Sequence, residues 1–158
     1  MAWHDGEYAC GHKGRVQIYG PSKDREWKQR YEFAKKCPDC REKDFAEKIK
    51  KDNQKAKEFS EKRGLPSLTG SDKQIDWATT LRHNFILAIE EEFEKVENNI
   101  SSINESELKI FNHMKVAFEN MIKAKTDSKF WIDSRTQRPT SILHEYADFS
   151  ELVQKRDE

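Results

Sequence analysis

The sequence is short of the residues on which many enzymes and secreted domains rely. Its 158 residues include only 6 glycines and 3 cysteines. The few glycines leave few tight loops for an active site. The odd number of cysteines would leave one thiol unpaired in any disulfide framework. It has no phosphate-binding glycine-rich loop, no His-Glu-x-x-His motif and no Gly-x-Ser-x-Gly elbow. We therefore expect no enzymatic activity. A zinc-dependent hydrolase, the remaining enzymatic alternative, would need an open coordination position.

Long apolar stretches are missing too. No run approaches the roughly 18 residues that cross a membrane, and no secretory signal is recognisable. We therefore expect a cytoplasmic protein with reduced thiols and no membrane partner. Hydrophobic residues make up 35% of the chain and charged residues 37%, which predicts a thin core built from amphipathic helices.

The formal net charge of zero hides a difference between the two parts of the chain. Residues 1–64 carry 17 Lys and Arg against 12 Asp and Glu, whereas residues 65–158 carry 12 against 17. A mildly basic front and a mildly acidic back indicate two surfaces with different partners.

All three cysteines lie in two short motifs, Cys-Gly-His at residues 10–12 and Cys-Pro-Asp-Cys at residues 37–40. Zinc is held tetrahedrally by four thiolate or imidazole ligands, usually offered as two short pairs. Gly11 lets the backbone turn sharply enough to aim both residues of the first pair inward. We predict a structural Zn²⁺ site formed by Cys10, His12, Cys37 and Cys40. His4 is the alternative to His12 as the fourth ligand. Because protein groups fill all four positions, the site is expected to be structural.

The cysteines allow two other interpretations. A thioredoxin-type redox pair would follow a strand of an open sheet, and no such pattern precedes residues 37–40. Three free cysteines without a metal stay open as the alternative.

The periodicity predicts a small β-hairpin over residues 8–19, with the first ligand pair at its turn. A helix over residues 23–36 follows, with one apolar face made by Trp27, Tyr31 and Ala34. Pro38 then opens a second helix that runs to about residue 63. A ligand pair on a hairpin and another at a helix start is the plan of treble-clef-like zinc modules, to which the intervening helix is an addition.

The rest of the chain predicts a helical body. Capping boxes at residues 71–74 and 104–107 open two long amphipathic helices that should pack antiparallel. Shorter C-terminal segments, the last one reaching Leu152, should close the core. The predicted fold is thus mainly α with a β-hairpin zinc module (α+β). We place a zinc domain at residues 1–64, packed on or linked to a helical domain at residues 65–158.

Two charged surfaces are candidates for partner binding. The first is an acidic patch formed by Glu90, Glu91, Glu92 and Glu94. The second is a basic face of the lysine-rich helix, with Lys48, Lys51 and Lys55, whose alternative is a merely solvated helix. A nucleic-acid-binding regulator is the rival function. It would use cations around the metal site and Trp27 or Tyr31 to stack on bases.

Two further stretches carry a resemblance. They are residues 68–82, LTGSDKQIDWATTLR, and residues 128–135, SKFWIDSR. With the Cys-Gly-His and Cys-x-x-Cys pairs, they are similar to segments of small zinc-binding proteins of bacteria, their phages and mobile elements. In size, metal site and helical build the chain also resembles some anti-CRISPR proteins that inhibit Cas9. The resemblance implies a protein of the bacterial host cell that binds a large nucleoprotein such as Cas9 and has no chemistry of its own.

Overall fold

The computed structural model describes residues 2–147 and residue 149, so the predicted contribution of Leu152 lies outside the described residues. The chain is mainly helical, with one two-stranded antiparallel hairpin. Its strands are β1 (Ala2–Glu7) and β2 (Lys13–Ile18). Its helices are α1 (Arg25–Phe33), α2 (Pro38–Lys62), α3 (Asp72–Glu97), α4 (Glu105–Ala124), α5 (Ser128–Asp133) and α6 (Pro139–Tyr146). None of the described helices combines the length and the apolarity that crossing a bilayer requires.

The chain forms two compact units, an N-terminal unit (Met1–Lys51) and a C-terminal unit (Asp52–Glu158). They meet within α2, whereas the sequence suggested a domain boundary after residue 64. The reason is that the second half of α2 belongs to the C-terminal unit, in which Ala56 and Ser60 are buried. In the first half of the helix, Phe45 and Ile49 are exposed.

The hairpin of the N-terminal unit begins earlier than the sequence predicted. β1 pairs with β2 from Ala2 opposite Ile18 to Glu7 opposite Lys13, so the first strand precedes residue 8. Outward and inward side chains alternate along β1, but its inward positions hold small or polar residues such as His4 and Gly6. Such a strand gives almost no hydrophobic alternation, which is why it was missed.

α1 is tied to the hairpin by one aromatic contact and by backbone hydrogen bonds. The rings of Tyr8 and Phe33 lie 5.1 Å apart, and Phe33 lies so close to Gly6 that a Cβ there would be 2.6 Å from its ring. The backbone N–H of Ala9 donates to the carbonyls of Phe33, at 2.9 Å, and of Lys35, at 3.1 Å. The C-terminal end of α1 is thereby fixed beside the hairpin turn.

The core of the C-terminal unit is built mainly on α3 and α4. Phe93 of α3 packs on Phe111 of α4 at 5.5 Å, and Phe85 packs on Phe118 at 6.4 Å, so the two helices run in opposite directions. Reciprocal hydrogen bonds between Asn104 and Glu107 cap the start of α4. The buried core also includes Leu68, Ala78, Ile86, Ile89, Ala117, Met121, Ile122, Trp131, Ile142, Leu143 and Ala147.

Two loops of this unit are joined by a short parallel bridge between Thr69 and Asp127. The N–H of Thr69 donates to the carbonyl of Thr126 at 2.8 Å, and the N–H of Ser128 donates to the carbonyl of Thr69 at 3.0 Å. Gly70 has a φ of +144°, and a Cβ there would lie 3.1 Å from Ser128 Oγ. The bridge therefore brings together the two stretches, 68–82 and 128–135, that carry the sequence resemblance.

A charged side chain, Arg82, is buried beneath these loops. It is 2% exposed, and its Nη1 donates to the carbonyl of Pro66 at 2.9 Å. Its Nη2 lies 3.4 Å from Ser60 Oγ. Burial lowers the pKa of Arg82, because both hydrogen-bond partners are neutral and cannot offset the lost hydration of the cation. Arg82 thus joins α2, the following loop and α3 through hydrogen bonds.

Replacing Arg82 by alanine should lower the free energy of unfolding of the C-terminal unit by about 3 kcal/mol. The change empties a large buried volume and removes the donor of the Pro66 carbonyl. Urea unfolding followed by circular dichroism measures it. Arg138→Ala is the matched control, because Arg138 is exposed and its loss should cost less than about 0.5 kcal/mol. Equal effects of the two changes would show that the Arg82 hydrogen bonds do not hold the fold.

Candidate metal centre

The four predicted zinc ligands come from two neighbouring segments of the N-terminal unit. Cys10 and His12 lie in the turn between β1 and β2, where Gly11 has a φ of +78°. That left-handed conformation is one that glycine adopts without strain. Cys37 immediately precedes α2 and Cys40 lies in its first turn. The hairpin turn and the helix start therefore present one ligand pair each.

The ligand atoms converge on one point. One ligand atom from each of the four residues lies within 4.8 Å of all the others. His12 Nδ1 is 3.6 Å from Cys37 Sγ and 3.3 Å from Cys40 Sγ. With Zn–S bonds of about 2.3 Å and Zn–N bonds of about 2.0–2.1 Å, neighbouring ligands of a tetrahedral site lie about 3.5–3.8 Å apart. The two sulfur–nitrogen separations lie close to this range, and the four atoms are near enough together to hold one metal ion.

Backbone N–H groups support the sulfur atoms. The N–H of Cys37 donates to Cys10 Sγ at 3.2 Å, and the N–H of Cys40 donates to Cys37 Sγ at 3.4 Å. The Cys37 N–H, followed by the N–H of His12, lowers the pKa of Cys10 from 9.0 to about 6. Hydrogen bonds of this kind orient metal ligands and favour their charged form.

The thiol groups of Cys10 and Cys40 do not ionise independently. The pKa of Cys40 is raised from 9.0 to about 11, first by its hydrogen bond to the Cys37 sulfur and then by burial. Thiolates at this separation repel one another, so the Cys40 proton is held more tightly once Cys10 has ionised. A divalent cation at the centre would supply positive charge that favours the thiolate form of its sulfur ligands.

The centre lies in a unit with few buried side chains. Of its described residues, Tyr8, Ile18 and Cys37 alone are buried. Cys10 and Cys40 are half-buried and His12 is exposed. Small units that cannot bury enough apolar surface usually depend on a metal or on disulfides, and all three cysteines here are free thiols. A bound metal would therefore contribute directly to the folding of this unit.

His4, the alternative ligand, is not part of the cluster. It lies on β1 opposite Val16. Its Nε2 is buried and has no hydrogen-bond partner among the described residues. The remaining histidines contact phenylalanine rings. The ring centroids of His83 and Phe59 lie 4.6 Å apart, and those of His144 and Phe149 lie 4.8 Å apart. Among the described histidines, His12 is the one that joins the three cysteines.

The acidic residues predicted to bind a partner lie on α3 and are partly paired within the protein. Glu90 and Glu119 both accept from Arg63. Lys95 lies 3.1 Å from Glu91 and 2.9 Å from Glu92. Glu94 is exposed. The surface stays acidic, since residues 90–97 hold five glutamates and one lysine, but Glu90 also stabilises the C-terminal unit.

The basic residues of the second predicted surface, Lys48, Lys51 and Lys55, are all exposed on α2. They spread along the helix among acidic neighbours, as the solvated alternative also predicts. Partner binding by either charged surface stays a prediction.

Neither protein-family models, nor curated proteins, nor solved structures match this chain. Its chemistry must therefore be derived from its own residues.

Two features of the structure have no local signal in the sequence. Arg82 is one charged residue among many on a long helix. Its burial depends on the loop that contains Pro66, which lies far from it in the sequence. The pairing of Trp77 with Arg135, whose guanidinium lies 5.6 Å from the indole centroid, joins residues far apart in the chain. Contacts of this kind depend on tertiary structure and not on local spacing.

We expect His12→Ala and Cys37→Ser each to lower bound zinc well below one equivalent, because each removes one of four ligands. His4→Ala is the control and should keep the metal. The measurement is metal content by mass spectrometry, together with the visible absorption of the cobalt-substituted protein, which reports tetrahedral thiolate coordination. Full zinc content in Cys37→Ser, or its loss in His4→Ala alone, would contradict the ligand assignment.

Removing the metal with a chelator should disorder residues 1–45 and leave the helical remainder folded. Amide hydrogen exchange measures this segment by segment. Amides of β1, β2 and α1 should lose protection, whereas those of α3 and α4 should keep it because their core is made of side chains. Unchanged exchange in the hairpin after metal removal would show that the metal does not hold this unit.

Proposed function

We propose that this chain is a non-enzymatic zinc-binding protein that acts by binding a nucleoprotein partner. The observation that carries the proposal is the convergence of three sulfur atoms and one imidazole nitrogen within 4.8 Å of one another. Zinc is the metal that favours this mixed ligand set in tetrahedral geometry, and cysteine-rich sites of this kind are mostly structural.

A structural role is supported by how the four positions are filled. A catalytic zinc usually has three protein ligands and keeps its fourth position for water or substrate. Here Cys10, His12, Cys37 and Cys40 supply four protein ligands, so water has no position at which a metal could activate it. The ion would then fix the hairpin turn against the start of α2.

The arrangement of the ligand pairs favours a treble-clef-like module as the finer description. One pair lies on a hairpin turn and the other begins a helix, which is the general plan of that fold. α1, between the two pairs, is an addition to the plan. This unit would present its surface to a partner, while the C-terminal unit supplies a second surface.

A nucleoprotein partner is supported by the charges of the C-terminal unit and by the resemblance to Cas9 inhibitors in size, metal site and helical build. Cas9 holds its guide–target duplex in a positively charged channel and contacts the nucleic-acid backbone there. A helix face with a run of glutamates matches such a channel in charge. Glu91, Glu92 and Glu94 are exposed members of this run, and we propose that they face the basic channel of the partner.

The proposal predicts that the zinc-loaded protein co-elutes with Cas9–guide complexes and reduces target cleavage. Glu91→Lys/Glu92→Lys/Glu94→Lys should abolish inhibition, because like charges would then face each other across the interface. The matched control is Glu42→Lys/Glu47→Lys/Glu61→Lys, which makes the same charge change at exposed positions of α2. Undiminished cleavage at a large excess of the natural protein, with no co-elution, would contradict Cas9 as the partner.

A further inference from the structure

One face of α1 exposes two large aromatic rings to solvent. Trp27 is 52% exposed and Tyr31 is 59% exposed, and Arg30 and Ala34 on the same face are exposed as well. An apolar helix face of this spacing usually faces a core. Here the contact with the hairpin is made instead by Phe33, from a neighbouring face of the helix. The side chains of Trp27 and Tyr31 are therefore available to contact a molecule outside the unit.

Each of these rings carries a cation. Lys35 Nζ lies 3.9 Å from the centroid of the Tyr31 ring, and Lys28 Nζ lies 5.8 Å from that of Trp27. The hairpin repeats the arrangement, with the Arg15 guanidinium 5.3 Å from the ring of Trp3, which is 53% exposed. Such contacts hold a positive charge beside an aromatic surface. The unit thus presents exposed aromatic rings paired with cations.

The charge around the helix is positive. Residues 25–36 carry five Lys and Arg against two Asp and Glu. Glu26 lies 3.6 Å from Arg30, and Glu32 lies 2.8 Å from Lys35. Both pairs are at least partly exposed to solvent, where salt and competing charges weaken them. Arg30 and Lys35 can therefore exchange these carboxylates for other anionic partners.

Aromatic rings interleaved with cations are the combination that single-stranded nucleic acid needs. Bases stack on the rings without regard to sequence, and cations contact the phosphates. Trp27 and Tyr31 are one helical turn apart, about 6 Å along the axis, so each ring can take a different base. A duplex suits the surface less well, because its bases already stack on one another and hide their faces. An apolar protein partner suits it less well too, since the centres of such interfaces are poor in charged residues.

We propose that this face of α1, with Trp27, Arg30, Tyr31 and Lys35, binds single-stranded nucleic acid. The rings stack on bases and the cations contact phosphates. The surface deepens the proposed function by naming how the protein would contact the nucleic-acid part of its partner. The surface rests on that function in one respect. Ala9 is next to the ligand Cys10, and its N–H donates to carbonyls at the C-terminal end of α1. The position of α1 therefore depends on the turn that carries the proposed metal ligands.

The test uses the full-length zinc-loaded chain and fluorescence anisotropy. The probes are labelled oligothymidine and oligouridine of about 16 nucleotides, each at about 50 mM and about 200 mM salt. We expect binding of at least one strand, weaker at the higher salt. Trp27→Ala/Tyr31→Ala should weaken it at least about 10-fold, through lost stacking. Trp77→Ala is the matched control, because Trp77 is 48% exposed and carries Arg135 over its ring, but lies in the C-terminal unit.

A second variant tests the phosphate contacts. Arg30→Glu should weaken binding and reduce the slope of log affinity against log salt by about one. Arg138→Glu, an exposed arginine of the C-terminal unit, should change neither. Each variant is checked for zinc content and helical signal, so that lost binding is not confused with lost folding.

Three results would overturn this proposal. The first is no binding of either strand at the lower salt, and the second is an equal loss of affinity in Trp27→Ala/Tyr31→Ala and Trp77→Ala. The third is a duplex of the same length that binds as tightly as the single strands. A natural chain that binds no zinc contradicts the proposed metal centre. A zinc-loaded chain with no affinity for either strand overturns this surface alone.

Discussion

The N-terminal unit depends on the approach of three sulfur atoms to one imidazole. The unit has little else to hold it together, since its small set of buried side chains centres on Tyr8 and Ile18. The backbone hydrogen bonds around the turn serve the cluster as well, because the N–H of Cys37 reaches Cys10 and that of Ala9 reaches the end of α1. A metal ion bound at this point would take the role that a hydrophobic core has in a larger domain.

The C-terminal unit is stabilised in the opposite way. Aromatic rings of α3 and α4 interlock in a contiguous apolar core. A charged residue, Arg82, is nevertheless buried beside that core, with neutral partners only in Pro66 and Ser60. The lost hydration of the Arg82 cation is costly, so we expect its hydrogen bonds to contribute more to the specificity of the fold than to its net stability. They are satisfied only when α2, its following loop and α3 adopt this arrangement.

Local rules predicted most of the helices and the position of the ligand pairs. The capping box at Ser71 and the proline at the start of α2 are signals that act within a few residues, and both helices begin at the expected positions. β1 was missed because its inward positions carry no large apolar side chains. Spacing also predicted an apolar face on α1, with Trp27 and Tyr31, but it does not show whether anything covers that face. Only tertiary contacts decide that.

The position of α1 in the chain has a consequence for how the protein responds to its surroundings. The helix lies within the 24 residues from 13 to 36 that separate the two ligand pairs. A molecule bound by α1 would therefore be coupled thermodynamically to a metal ion bound by the four ligands, which would close this loop. Coupling of this kind is reciprocal, so a molecule that binds α1 and prefers the folded unit would also tighten the binding of that ion. The availability of free zinc in the cell would then set how much of the chain is ready to engage.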